Sequence, residues 1–222
     1  MATSAPDGAG ADRVRTVGVF GGTFDPVHNG HLRIALDARE LLGLDEVRLI
    51  PLAQAVHRDQ PETPPALRLE MLQTALAGRG DLVCDDREMR RQGPSYTVDT
   101  LESLRRDLPG TSLCLLLGED AFAGFAQWRD PLGILTIANI AVLQRPGERP
   151  PHIPALRKLL GGRETQTLDP LRCGQICFCP VTQLDIASSD IRHRLAAGRS
   201  ADFLLPPAVV DLIYRHKLYG SS

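Results

Sequence analysis

The chain has 222 residues, 43% of them hydrophobic, and its 25 basic and 27 acidic side chains leave a formal net charge of -2. Such a content is enough for a sizeable core, and the near-balance of charge gives no global pull toward nucleic acid or an anionic membrane. An anionic ligand must be held by a local arrangement of groups.

Residues 1–13, MATSAPDGAGADR, are small and polar, lack the apolar stretch of a secretion signal, and read as a disordered tail ahead of one domain over 14–222. No apolar run approaches the roughly 20 residues that span a bilayer. RTVGVF (15–20) reads as a strand, leading through a glycine turn into a helix whose Ile34, Ala38, Leu41 and Leu42 share one face, with Gly43 placed to stop it. EVRLIPL (46–52) is the next strand, followed by a Pro-rich loop and a helix carrying Leu69, Leu72 and Leu76, ended by Gly78. DLVCD is a short strand, SYTVDTLESLRRDL a helix with Ser95 or Thr97 as its cap, and SLCLLLG (112–118) and NIAVLQR (139–145) are strongly apolar strands. Residues 146–174, rich in Pro, Gly and Arg, are the least patterned. QICFCPV then reads as a strand, SSDIRHRLAAG as a capped helix and PPAVVDLIYRHKLY as a helix opened by proline.

Near-continuous apolar strands separated by helices are the signature of a parallel sheet covered on both faces. The expected fold is α/β, a doubly wound, mostly parallel sheet with a small C-terminal helical extension. Five cysteines, Cys84, Cys114, Cys173, Cys177 and Cys179, are an odd number in a chain long enough to fold without staples, which points to a reducing, cytoplasmic compartment. Cys173, Cys177 and Cys179 lack both a Cys-x-x-Cys spacing and a fourth ligand, so they are read as buried free thiols and no metal site is assigned.

The stretch GGTFDPVHNGHL follows the first strand, where such folds place a helix N-terminus against a ligand. Gly21 and Gly22 allow close backbone approach, and free amides at the helix start favour a phosphate. Neither a Walker A loop nor a G-x-G-x-x-G fingerprint is present. His28 and His31 stand three apart near the helix start, with Gly30 leaving room between them for a phosphate. Taken alone, the pair is compatible with surface residues, metal ligands or donors to charged oxygens.

This stretch resembles the signature of nucleotidylyltransferases carrying a (His/Thr)-x-Gly-His motif, and is most similar to that of bacterial nicotinate-nucleotide adenylyltransferases. Further segments resemble the same family in the same order: IPLAQAVHR, REMRRQGPSYTVDTL, LLLGEDAFAGFAQW, IASSDIRHRL and FLLPPAVVDLIYRHKLY. Two positions depart from its pattern, Ala187 where a serine is usual and Val56 where a proline is usual.

The resemblance implies a Rossmann-like nucleotidylyltransferase fold and adenylyl transfer from ATP, accompanied by Mg2+, to nicotinate mononucleotide, giving deamido-NAD and pyrophosphate. It implies catalytic roles for His28, His31 and Arg192. ATP would be held by Gly21, Gly22, Thr23, Phe24, His57, Arg58, Gly118, Asp120 and Ser189, and the nicotinate nucleotide by Tyr96, Thr97, Trp128 and Arg145. Adenylyl or cytidylyl transfer to another phosphorylated acceptor such as phosphopantetheine is the rival within the enzyme class, and a non-catalytic nucleotide-sensing module the rival outside it. Nucleic acid and membrane are not expected partners, and monomer and homodimer are both open.

Overall fold

The computed structural model describes residues 13–54, 61–144, 156, 159 and 161–221. Strands β1 (Thr16–Gly22), β2 (Glu46–Pro51), β3 (Leu82–Cys84), β4 (Ser112–Gly118), β5 (Ala138–Gln144) and β6 (Ile176–Pro180) form one sheet in the order β3-β2-β1-β4-β5-β6. Every neighbouring pair is parallel. The order changes direction between β1 and β4, and the crevice beyond the carboxyl ends of those two strands is where open parallel sheets hold ligands.

Helices α1 (Asn29–Leu42), α2 (Pro65–Ala75), α3 (Arg87–Arg90), α4 (Thr97–Asp107), α5 (Glu119–Ala123), α6 (Pro131–Ile137), α7 (Ser188–Ala196) and α8 (Pro207–Arg215) complete the described elements, with short 3-10 turns at Phe125–Gln127 and Leu218–Gly220. β4 shows why both faces are covered. Leu113, Leu115 and Leu117 enter one core with Leu101 of α4, Phe122 of α5 and Ile134 of α6, while Cys114 and Leu116 enter the other with Ala38, Leu72, Ile191 and Val209 of α1, α2, α7 and α8. Successive side chains point to opposite faces, so a strand between two apolar cores must be apolar throughout.

Some local readings shift. In α1 the buried positions are Gly30, Ala35 and Ala38, while Leu41 is 58% exposed; the helix lies close to the sheet on its small residues, which rotates Leu41 outward. Gly43 does close α1, at φ 61°, its N–H bonded to the Arg39 and Glu40 carbonyls. Neither Ser95 nor Thr97 caps α4: the N-cap is Tyr96, with no side-chain hydrogen bond. The α7 N-cap is Ala187, whose side chain has no acceptor to offer, so the expected capped helix starts without a side-chain cap. The short elements between β4 and β5, α5, the Phe125–Gln127 turn and α6, were too brief to show a helical period.

Candidate active site

β1 ends in Gly21 and Gly22, and the chain turns through Thr23–Val27 into α1. A Cβ on Gly22 would stand 2.8 Å from the Phe24 ring, whereas one on Gly21 would face open space. Phe24 has a positive φ of 49° and a fully buried ring, edge-on to His31 at 5.1 Å between centroids. The side chain of Phe24 is thus the floor of the turn, and only its backbone is available outward.

His28 is the N-cap of α1. Its Nδ1 accepts from the His31 N–H and the His31 Nδ1 accepts from the His28 N–H, each at 3.3 Å. This is a capping box in which two imidazoles replace the usual hydroxyl and carboxylate. The rings stack at 3.6 Å and 27°, and a Cβ on Gly30 would meet His28 Nδ1 at 3.0 Å. Gly30 therefore makes room for the His28 ring, and the expected phosphate berth between the two imidazoles does not exist; an anion must approach the ring edges.

An Nδ1 that accepts an amide proton carries none of its own, so each neutral ring bears its proton on Nε2, across the ring from the box. Burial lowers the His28 pKa from 6.5 to about 4. Burial, with the neighbouring His28 ring, holds His31 well below its ordinary value. Both rings are therefore neutral at pH 7, each with one N–H to donate.

The fold brings Arg192 of α7 to the same turn. Its Nη1 donates to the Asp25 carbonyl at 2.8 Å and its Nε to the exposed Glu62 carboxylate at 3.1 Å. Ser188 Oγ donates to the Pro26 carbonyl at 2.9 Å, while Ser189 is exposed, its hydroxyl 3.4 Å from Asp190 Oδ1. Beneath the turn lies Arg68 of α2, fully buried, donating to the carbonyls of Thr23 (2.7 Å), Thr63 (3.1 Å) and Ala53 (3.5 Å). Burial lowers its pKa, and the Asp25 carboxylate partly offsets this. Sequence reading passes over Arg68, yet a signal is there: it shares the buried stripe of α2 with Met71 and Leu72, at helical spacing.

On the side of the sheet covered by α4 and α5, a cavity of about 530 Å³ opens against Gly21, Gly22 and Thr23. Tyr96, Thr97, Asp120 and Trp128 all line it, and Gly118 stands exposed at the end of β4. Tyr96 and Thr97 stand at the start of α4, whose first amides have no side chain capping them. Trp128 is half-buried, edge to face with Phe125 at 5.6 Å, and the Arg129 guanidinium lies 4.5 Å from the centre of the Tyr96 ring. Glu88, also overlooked in the sequence, forms part of the wall: it accepts from Thr100 Oγ1 at 2.7 Å, and burial raises its pKa.

The three clustered cysteines do not stay together. Cys177 and Cys179 are buried on one face of β6, their Sγ atoms 3.4 Å apart, but Cys173 is exposed, with its Sγ 3.5 Å from the Ile137 carbonyl. The expectation of three buried thiols fails at Cys173, which sits on a loop ahead of β6. His57, Arg58 and Arg145 lie outside the described residues, as do Val56 and most of 146–160. Among the described residues no helix is long and apolar enough to cross a membrane.

Residues 19–194 match the family model described as Cytidylyltransferase-like. A protein of Methylococcus capsulatus named probable nicotinate-nucleotide adenylyltransferase is 46% identical over 210 residues, covering 92% of this chain and 99% of its own length. One of Pseudomonas syringae pv. tomato with the same name is 47% identical over 208 residues, covering 92% and 94%. Among solved structures, Plasmodium falciparum nicotinic acid mononucleotide adenylyltransferase complexed with NaAD aligns over 94% of this chain and 98% of its own, at a TM-score of 0.72 and 16% identity, a likeness of fold. With more than nine-tenths of each chain aligned at such identity to the two bacterial proteins, the chain belongs to the nicotinate-nucleotide adenylyltransferase family.

Proposed function

We propose that this chain transfers the adenylyl group of MgATP to nicotinate mononucleotide, releasing pyrophosphate and forming deamido-NAD. The observation that carries this reading is one turn, Gly21–Val27, with donors for phosphate on one flank and an aromatic-walled cavity on the other. His28, His31 and Arg192 supply the first; Trp128 and the uncapped start of α4 supply the second.

The phosphate of a nucleoside monophosphate has a second pKa near ~6 and is largely dianionic at pH 7. It attacks the α-phosphorus directly, and no general base is needed. What remains is to hold two anions in line and to stabilise the charge that grows on the bridging and non-bridging oxygens. The Nε2–H groups of His28 and His31 donate to the α- and β-phosphates. Arg192 exchanges the Glu62 carboxylate, a solvent-exposed partner worth at most about 1 kcal/mol, for the β- and γ-phosphates. The backbone of Gly21, Gly22, Thr23 and Phe24, the Ser189 hydroxyl, and His57 and Arg58 complete the triphosphate contacts. Mg2+ enters with the nucleotide, held by phosphate oxygens and water.

In the cavity, Trp128 stacks on the pyridinium ring, and the amides of Tyr96 and Thr97 receive the nicotinate carboxylate. Asp120, beside Gly118, accepts from a ribose hydroxyl, and Arg145 adds a cation for the acceptor phosphate. The reaction belongs to the cytoplasm, where both substrates and reduced thiols are found.

The test is pyrophosphate release from ATP with nicotinate mononucleotide, nicotinamide mononucleotide and phosphopantetheine offered in turn. Turnover is expected with the first. Turnover only with phosphopantetheine, or with no acceptor at all, rejects the proposal.

A further inference from the structure

Asp25 is 3% exposed, yet its three oxygens are all engaged. Oδ1 accepts from the Tyr219 hydroxyl at 2.6 Å, Oδ2 from the N–H groups of Glu62 at 3.1 Å and Thr63 at 3.4 Å, and the carbonyl from Arg192 Nη1 at 2.8 Å. The Tyr219 oxygen in turn accepts from Thr63 Oγ1 at 2.9 Å. Three segments far apart in the chain therefore meet at one residue of the phosphate turn. Tyr219 holds a φ of 57°, a conformation unfavourable for an aromatic residue and kept only where the surroundings impose it. Those surroundings are present: a Cβ on Gly220 would meet Ala196 of α7 at 3.5 Å, and the buried Ser221 donates to the Leu218 carbonyl at 2.8 Å.

We propose that Tyr219 is a positioning residue of the ATP-phosphate site, whose hydroxyl satisfies the Asp25 carboxylate so that the Arg192 guanidinium stays free to turn toward the nucleotide. A buried carboxylate oxygen demands a donor. Two cations lie near Asp25: Arg68, whose pKa burial lowers and the Asp25 carboxylate partly restores, and Arg192, which is bonded to the carbonyl of the same residue. Without the tyrosine, Oδ1 loses that donor while Arg192 is held on the carbonyl of the same residue, and a guanidinium drawn onto the carboxylate is lost to the phosphates. Burial and the Asp25 charge keep the tyrosine protonated and donating throughout the physiological range. The inference rests on the adenylyltransferase reading.

Tyr219→Phe removes only the hydroxyl, and a double-mutant cycle with Arg192→Gln tests the route. ATP affinity is read by calorimetry, and nicotinate mononucleotide affinity by quenching of Trp128, the one tryptophan in the chain. The expected result is a loss of about 5- to 10-fold in ATP affinity with the acceptor affinity within about 2-fold of normal, and no further loss when the change is made in Arg192→Gln. Unchanged ATP affinity, equal weakening of both substrates, or the same loss with and without Arg192 overturns the inference. Failure of the enzyme reading shows elsewhere, as absent pyrophosphate release by the unaltered protein.

Discussion

A histidine pair at a helix start ordinarily titrates near neutrality, and burial removes that option here. Between pH 6.5 and about 4 the unfolded chain binds a proton at residue 28 that the folded chain refuses. Stability from this site is therefore fully present above pH 6.5 and lost as the pH falls toward 4, by up to about 3 kcal/mol at 1.36 kcal/mol per pKa unit. His28→Asn keeps an N-cap acceptor but has nothing to titrate. Its melting temperature is expected to fall less steeply over that range than the parent's; parallel slopes would remove the buried His28 from the account. His31→Ala, which deletes a donor used as charge develops, is expected to cut turnover on the order of 100-fold or more in protein with an unchanged circular dichroism spectrum. Arg68 makes a different kind of demand. Its three carbonyl partners belong to three segments around the turn, and Arg68→Met would leave them without that donor at a cost of about 3 kcal/mol in denaturant unfolding. Arg68→Lys, with no planar fork, should recover only part of this; full stability in both variants would show the guanidinium to be dispensable.

At the scale of elements, the start of α4 decides what the cavity prefers. A helix with no side chain on its first amides has donors to offer, and a carboxylate satisfies them where the NH2 of an amide does not. Leaving such groups unpaired costs roughly 1 to 3 kcal/mol each, so discrimination of about 100-fold in kcat/KM between the acid and amide nucleotides is expected with two amides engaged. The cap geometry identifies the variant that tests this. Tyr96 has φ -112°, far from the angle proline imposes, whereas Thr97 is the first helical residue, where proline is well tolerated. Thr97→Pro should narrow the acid-to-amide ratio about tenfold without unfolding α4. Trp128→Ala should weaken both nucleotides alike, since both present the same flat ring. A ratio unmoved by Thr97→Pro would take the α4 amides out of carboxylate recognition. The caps themselves were not legible in the sequence: serine and threonine stand at Ser95, Thr97 and Ser188, but the N-cap positions fall on Tyr96 and Ala187, since capping propensity is a weak local preference that tertiary context overrides.

Across the whole molecule, what the sequence displayed was whatever is contiguous. The six strands are short apolar runs, their alternation with helices gives the parallel sheet, and the glycine turn with its two histidines is a single unbroken stretch. What it hid depends on contacts between distant segments. Tyr219 and Asp25 are 194 positions apart, and Arg192 and Asp25 are 167 apart; no periodicity announces such a meeting, and an aspartate beside a proline reads as an ordinary turn until its partners are in place. The sheet that unites these groups also keeps stability and function separable on one strand. Leu115 and Leu116 are adjacent in β4 and both buried, but they face opposite cores. Leu115 lines the cavity; Leu116 belongs to the core on the opposite face, with residues of α1 and α2. Truncating either to alanine should cost about 2 to 5 kcal/mol of folding free energy, since each leaves a void in a packed core. Only Leu115→Ala enlarges the space assigned to the nicotinate nucleotide, so it alone should raise the KM for that substrate, by several-fold, while both variants keep a near-normal KM for ATP. Equal effects of the two on nicotinate-nucleotide KM, at matched losses of stability, would mean that binding follows general loosening of the sheet and not the shape of this cavity.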